Sequence, residues 1–248
     1  MKEQTSPFIL VHFLAVMSAK VVNNPEKIYM YYHYEPFGPL WDLLKPHIIL
    51  EKVELPKMIG DKPILKTAHM ADVVRMNKLL EIGGIYFDID TISYRPYADL
   101  LNNDCVLAWE QSPYYICNAI MMAKPQAEFM KLWTYNYYKF FVSNGWGESS
   151  IRLPAILYTI FPHMVNVLAS EHFFQPTHNE FKKIFVDDGV PISNNLITLH
   201  LWEQMCIDIV EKIDVQWLHD NKHTLYSKLV MSNKELVDIL DQISDNGQ

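Results

Sequence analysis

Residues 71–90 read ADVVRMNKLLEIGGIYFDID, and this stretch decides the fold. Its first part has apolar residues at helical spacing and many strong helix formers, which predicts a helix ending at Gly83–Gly84. The run 85–87 (IYF) predicts a short buried strand. Asp88 and Asp90 follow at the carboxyl end of that strand, where ligand crevices open in α/β sheets. The stretch therefore predicts a helix and a strand that end in two carboxylates.

The acidic and basic residues of this stretch are suited to a metal and phosphate site. Asp88 and Asp90 can hold a hard divalent cation, since Mg²⁺ and Mn²⁺ prefer oxygen ligands and often take the others from phosphate. On the helix, Asp72 and Arg75 are one turn apart, so we expect them to face the same crevice. Each pair also has a structural explanation: carboxylates that cap a turn, and an exposed ion pair worth ~0.3–0.5 kcal/mol. The exposed pair predicts that Arg75→Ala impairs function rather than stability.

The whole pattern resembles the DXD-motif glycosyltransferases of family 32 and the catalytic domains of the large clostridial glucosylating toxins. The shared order is a small residue, Asp, two apolar residues, Arg, then Leu, Gly-Gly, an apolar residue, Tyr, an apolar residue and Asp-x-Asp. The matching positions are Asp72, Arg75, Leu79, Gly83, Gly84, Tyr86, Asp88 and Asp90. The resemblance implies an α/β fold of GT-A type, in which helices flank a Rossmann-like mixed central sheet.

The same resemblance implies a metal-dependent transfer of sugar from a nucleoside-diphosphate sugar to an acceptor hydroxyl, with retention of configuration. Asp88, Asp90 and Arg75 would be catalytic, and Asp72, Arg75, Tyr86 and Asp88 would contact the donor. The expected cofactor is Mn²⁺ or Mg²⁺, and the expected donor is a UDP-sugar more than a GDP-sugar. The acceptor would be a glycan, a glycoprotein or a glycolipid.

A second cluster follows late in the chain, where residues 198–204 read TLHLWEQ. A lone histidine is usually structural, but a late histidine joins the metal in glycosyltransferases of this fold. The toxin relatives place Ser-x-Trp near the same point. The resemblance therefore implies that His200 is a third metal ligand and that Trp202 lies beside the donor, on the face of the strand that carries His200.

Three more residues are donor-binding candidates. His12 and Phe13 lie at the end of a predicted first strand, where the relatives hold the nucleotide base, although the tryptophan that the family usually shows after this strand is missing. Asn118 is a polar residue within an apolar strand pattern. It is either a hydrogen-bonded core amide or a group that faces the sugar.

Alternating patterns along the rest of the chain predict the other elements. Strands are predicted at 7–13, 28–33, 48–53, 105–109, 114–123, 185–188 and 196–201. Helices are predicted at 14–21, 38–44, 126–141 and 150–160, and a Ser232-x-x-Glu235 capping box predicts a C-terminal helix. We predict a single domain over 1–248, with a nucleotide-sugar-binding part at about 1–110 and an acceptor-side part at about 111–248.

Composition narrows the function further. Half of the residues are hydrophobic, which is typical of a packed globular protein, and the net charge of -8 argues against nucleic-acid binding. The three cysteines form no CxxC pattern, which favours a reducing compartment over a disulfide framework or a zinc site. The apolar run 8–17 is interrupted by His12 and too short to span a bilayer, so we expect a cytoplasmic protein with neither signal peptide nor transmembrane segment.

Two other functions fit part of the pattern. The strand followed by Asp88-Ile-Asp90-Thr91 also resembles the nucleophile motif of haloacid-dehalogenase-type phosphatases, with 186–189 (VDDG) as their later acidic motif. In those enzymes the nucleophile strand normally comes first, whereas here three predicted strands precede it. A catalytically inactive GT-A fold used as a binding module is the other alternative, and the intact acidic residues argue against it.

Overall fold

A computed structural model describes residues 5–245. The α-helices are α1 Leu10–Asn23, α2 Pro39–Leu44, α3 Thr67–Ile82, α4 Glu128–Phe140, α5 Leu153–Ile160, α6 Lys182–Phe185, α7 Glu203–Val210, α8 Val215–Asp220, α9 Leu225–Met231 and α10 Lys234–Asp245. The strands are β1 Tyr29–Tyr32, β2 Ile49–Lys52, β3 Met58–Ile59, β4 Lys62–Pro63, β5 Gly84–Phe87, β6 Thr91–Ser93, β7 Cys105–Gln111, β8 Tyr115–Ala123, β9 Asn166–Leu168 and β10 Thr198–His200. A single π-helical turn, Glu148–Arg152, precedes α5.

The chain divides into two compact units, each assembled from separate segments. The first unit comprises Val53–Asp88 and Ala98–Ser170. The second comprises residues 5–52, 89–97 and 171–245. The division falls directly after Asp88, so the two acidic residues of the motif belong to different units.

The first unit is built on a mixed four-stranded sheet in the order β5-β8-β7-β9. β8 pairs antiparallel with β5 and β7, and β9 runs parallel to β7. β8 is buried from Ile116 to Ala123, as a central strand must be. Apolar side chains of α3, α4 and α5 pack into the core of this unit, among them Met76, Leu79, Phe129, Trp133 and Leu157. The predicted mixed sheet with flanking helices is confirmed.

The second unit contains two small sheets. β1 and β2 pair in parallel, and β10 pairs antiparallel with β6, which places His200 opposite Thr91. Helix α1 packs against β6, where the Ser93 N–H donates to the Ser18 hydroxyl at 3.0 Å. The predicted strands at 28–33 and 48–53 are confirmed as β1 and β2.

The glycine pair that ends α3 occupies backbone conformations that favour glycine. Gly83 has φ 68° and Gly84 has φ 106°. A Cβ atom on Gly83 would also lie 2.6 Å from Cδ of Pro125. The predicted end of the organising helix is therefore confirmed, and the chain turns directly from α3 into β5.

The predicted first strand at 7–13 is wrong, because helix α1 begins at Leu10. The run from Leu10 to Ala19 is buried at every position except His12, so this helix has no polar face to reveal its period. A short continuous apolar run fits a buried strand and a buried helix equally well. His12 and Phe13 therefore lie on a helix and not at a strand end.

Two later predictions are also wrong. The segment 185–188 is not a strand, since α6 ends at Phe185 and is followed by a turn. The expected Ser232–Glu235 capping box is absent as well. Instead, the Asn233 carboxamide oxygen accepts from the N–H groups of Glu235 and Leu236 at 2.9 and 3.3 Å, while the Ser232 hydroxyl donates to the Leu229 carbonyl. Asparagine is as good an N-cap as serine, and Asn233, the residue after Ser232, caps α10.

Among residues 5–245, no helix is both long enough and apolar enough to cross a membrane.

Candidate active site

Helix α3 carries Asp72 and Arg75 into the interior of the first unit. The two residues are only 3% and 8% exposed. The expected surface ion pair is therefore wrong, because α4 and the π-helical turn cover this face of α3. Tyr137 on α4 donates to Asp72 Oδ2 at 3.0 Å, and Ser150 on the π-helical turn donates to the same oxygen at 2.7 Å.

The other carboxylate oxygen of Asp72 holds the side chain of Asn118. The Asn118 amide nitrogen donates to Asp72 Oδ1 at 2.7 Å, and Arg75 Nε lies 3.7 Å from the same atom. Burial raises the pKa of Asp72, but His69, Arg75, Ser150 and Tyr137 outweigh it and hold that pKa below its ordinary value. Asp72 is therefore an ionised carboxylate surrounded by donors, and Asn118 is a hydrogen-bonded amide.

Arg75 links the same cluster to the first residue of the motif. Its Nη2 lies 3.0 Å from Asp88 Oδ1, and its Nη1 donates to the backbone carbonyl of Asn118 at 2.8 Å. The guanidinium also lies over the Tyr86 ring, 4.5 Å from its centroid. Burial lowers the pKa of Arg75, but Asp88, Tyr86 and Asp72 outweigh it and raise that pKa, so the group stays charged.

Tyr86 holds Asp88 from the other side. Burial raises the pKa of Tyr86 well above its ordinary value, so the phenol keeps its proton and donates it to Asp88 Oδ1. The Asp88 side chain is 27% exposed, whereas those of Asp72 and Arg75 are 5% and 8% exposed. Among these three side chains, Asp88 is the one that solvent reaches most.

In the second unit, Asp90 and His200 face each other. Asp90 Oδ1 lies 3.4 Å from His200 Nε2, and Asp90 Oδ2 accepts from the Glu203 N–H at 3.0 Å. The Asp90 carbonyl accepts from the Leu201 N–H at 2.8 Å. Burial raises the pKa of Asp90, but His200 and the Glu203 N–H outweigh it and hold the pKa below its ordinary value. An ionised carboxylate oxygen therefore lies beside an imidazole nitrogen.

Trp202 and His12 also lie in the second unit. Trp202 lies two residues after β10 and is the N-cap of α7, in a left-handed conformation with φ 57°. The prediction that it shares a strand face with His200 is therefore wrong. Its ring packs edge-on against His200 with centroids 4.3 Å apart, and its Nε1 donates to the Pro176 carbonyl. His12 Nε2 lies 3.0 Å from Glu203 Oε2, whereas the Phe13 ring is buried in the core at 2% exposure.

His69 belongs to the first unit's cluster, although the sequence did not single it out. Its Nε2 faces the Gly145 carbonyl at 3.0 Å, and its Nδ1 faces the Tyr137 hydroxyl at 3.1 Å. Nδ1 also lies 3.4 Å from Asp72 Oδ2. The hydrogen bonds to Asp72 and to the Gly145 carbonyl raise the pKa of His69, which favours the imidazolium form. The sequence signal that could have found His69 is its position one helical turn before Asp72 on α3, which places both side chains on one face.

We expect this imidazolium to make stability depend on pH. The hydrogen bond to Asp72 raises the pKa of His69 against the opposing effect of burial. The folded state then binds a proton more tightly than the unfolded chain, so the contribution to the free energy of unfolding is complete below about pH 6.5 and is lost as pH rises through the folded-state pKa. Urea unfolding at several pH values should show the gap between wild type and His69→Gln narrowing as pH rises. Identical pH slopes for the two proteins would contradict this prediction.

Comparison with known proteins assigns the motif. A family model described as the glycosyltransferase sugar-binding region containing the DXD motif matches residues 46–107, which include α3, β5, Asp88 and Asp90. Residues 46–107 thus resemble the sugar-binding region of the DXD-motif glycosyltransferases. Glucan organizing enzyme 1 of Cryptococcus neoformans var. grubii is 32% identical to this chain over 230 residues. That alignment covers 88% of the present chain and 62% of the relative, so the chain spans less than two thirds of the relative's length.

One solved glycosyltransferase structure shares the fold of this chain. The apo form of the glycosyltransferase GlyE of Streptococcus pneumoniae TIGR4 aligns with a TM-score of 0.50 and 15% identity, over 96% of the present chain and 61% of GlyE. The galactosyltransferase LgtC, crystallised with donor and acceptor sugar analogs, aligns with a TM-score of 0.47 and 13% identity, over 77% and 82% of the two chains. The alignment with GlyE confirms the predicted GT-A fold.

Proposed function

We propose that this protein is a glycosyltransferase, which transfers a sugar from a nucleoside-diphosphate sugar to an acceptor hydroxyl in a reaction that needs a divalent cation. The family match to the DXD region supports sugar transfer. The observation that carries the metal requirement is the pairing of His200 Nε2 with Oδ1 of Asp90, the second acid of the motif, at 3.4 Å. Side chains of these two types are the usual protein ligands of Mn²⁺.

The residues present fit such an ion. Asp90 is ionised, and the imidazole of His200 supplies a nitrogen ligand when it is neutral. We propose Asp88 as a third ligand because it is the first acid of the DXD motif. When bound, Mn²⁺ or Mg²⁺ would act as a Lewis acid that neutralises the charge of the departing nucleoside diphosphate.

Each unit has its own candidate donor-binding groups. In the first unit, Arg75 and Tyr86 fix the orientation of the Asp88 carboxylate, and we propose that Arg75 and Asn118 contact the donor sugar. In the second unit, Trp202 and His12 remain donor-binding proposals, since both lie within one or two contacts of Asp90 through His200 or Glu203. The burial of Phe13 does not support its predicted contact with the base.

Stereochemistry and substrates rest on likeness to relatives. We propose retention of configuration, as implied by the resemblance to family 32, and a UDP-sugar in preference to a GDP-sugar. The relative named glucan organizing enzyme makes a glucan the first acceptor class to test. The cysteines Cys105, Cys117 and Cys206 are free and buried, which supports the proposal of a cytoplasmic location.

A thermal-shift panel tests the donor and the metal together. Wild-type protein should melt at a higher temperature with a UDP-sugar and Mn²⁺ than with either alone, because ligands that bind only the folded state stabilise it by mass action. His200→Ala should lose most of the shift that depends on Mn²⁺. Equal shifts for wild type and His200→Ala would remove His200 from the metal site. If no nucleotide sugar shifts wild type, the chain does not bind such donors, and the inactive binding module becomes the better hypothesis.

A further inference from the structure

Three side chains from three separate segments converge on the Asp72 carboxylate. Ser150 and Tyr137 donate to Oδ2 at 2.7 and 3.0 Å, and His69 Nδ1 lies 3.4 Å from the same oxygen. All four side chains are buried. Neither the family pattern nor the sequence assigns a role to Tyr137, Ser150 or His69.

The converging donors hold the Asp72 carboxylate in one orientation. Oδ2 of Asp72 is surrounded by donors, so the carboxylate cannot rotate without breaking buried hydrogen bonds. Oδ1 is thereby directed at the Asn118 amide, 2.7 Å away, and toward Arg75 Nε. Asp72 is 3% exposed, and its position sets the positions of Asn118 and Arg75, which are both 8% exposed.

We propose that Tyr137, Ser150 and His69 are positioning residues that fix Asp72, and that Asp72 in turn fixes Asn118 and Arg75 for sugar transfer. This inference rests on the function proposed above, in which Asn118 and Arg75 contact the donor. Removing one donor to Asp72 frees the carboxylate to turn, which misplaces the Asn118 amide. Misplacement of positioning groups by about 1 Å can cost ~10²-fold in rate.

The chain offers a matched pair of variants for the kinetic test. Tyr137→Phe removes the hydroxyl that donates to Asp72, whereas Tyr138→Phe removes the neighbouring hydroxyl, which joins the same two helices by donating to Asn77 at 2.9 Å. We expect Tyr137→Phe to lower kcat by ~10–100-fold, as is common when a residue supporting an active-site group is lost, and to change the donor KM less. Tyr138→Phe should stay within about twofold of wild type in kcat. Equal values of kcat for the two variants would overturn the proposal.

A second measurement needs no activity. In the ¹H–¹⁵N spectrum, the Asn118 side-chain amide should shift in Tyr137→Phe and in Ser150→Ala but not in Tyr138→Phe, because the amide reports the position of Asp72. An unmoved amide in both Tyr137→Phe and Ser150→Ala overturns the proposal even if kcat falls. If wild type transfers no sugar from any donor, the proposed function fails while the spectrum still decides the positioning. Ser150→Ala replaces Tyr137→Phe in the kinetics if the latter does not fold.

Discussion

Asp90→Asn is expected to lower kcat/KM by ~100-fold or more while the protein stays folded. The metal ion proposed at Asp90 would supply several kcal/mol of transition-state stabilisation as a Lewis acid, and each ~1.4 kcal/mol corresponds to a factor of ten in rate. Asparagine keeps an oxygen that can accept from the Glu203 N–H, which now lies 3.0 Å from Asp90 Oδ2. It loses the negative charge that faces His200. Initial rates of nucleotide release with Mn²⁺, together with the urea unfolding midpoint, measure the two effects separately.

Asp188→Asn is the matched control for this change. Asp188 is exposed and accepts only from the N–H of Gly189, the next residue, at 2.6 Å among the bonds described for it. The substitution removes the same charge from the acidic pair that a phosphatase mechanism would use, and we expect it to leave transfer within about twofold of wild type. Wild-type turnover by Asp90→Asn in chelator-treated buffer would show that the reaction needs neither this carboxylate nor a metal held by it.

The parts of the fold that the sequence predicts well are those with local signals. The end of α3 at Gly83 and the strand β5 follow from helix formers, a glycine pair and an apolar run within twenty residues of one another. Helix α1 was predicted wrongly over its first turn because its buried run shows no period. Asn233 displaced Ser232 as the cap because both residue types are good caps and sequence alone does not choose between neighbours.

In the candidate site, too, some features follow from local sequence and others depend on distant residues. The DXD residues were found because they share one short motif, but the burial of Asp72 depends on Tyr137 and Ser150, which are 65 and 78 residues away in sequence. No local pattern reports that α4 and the π-helical turn cover that face of α3. The default expectation for acid and arginine one turn apart is an exposed pair, and it failed here for that reason. Long-range packing thus determines whether Arg75 is a surface residue or a buried one.

Arg75→Met is therefore expected to destabilise the protein by about 3–5 kcal/mol, contrary to what an exposed ion pair would predict. The loss leaves Asp88 without its guanidinium partner and the Asn118 carbonyl without the donor at 2.8 Å. Methionine keeps much of the volume, so the effect reports lost polar contacts more than a cavity. Urea unfolding at constant pH measures the change in the free energy of unfolding.

Glu81→Ala and Arg75→Lys complete the test of burial. Glu81 forms an ion pair with Lys78 on the same helix at 3.0 Å, but its side chain is 61% exposed, so its loss should cost no more than ~0.5 kcal/mol. Arg75→Lys restores the charge but not the fork that joins Asp88 to the Asn118 carbonyl, so we expect only partial recovery of stability. A loss in Arg75→Met as small as that in Glu81→Ala would mean that water replaces the guanidinium at Asp88, and that this face of α3 opens to solvent more readily than its 8% exposure at Arg75 implies.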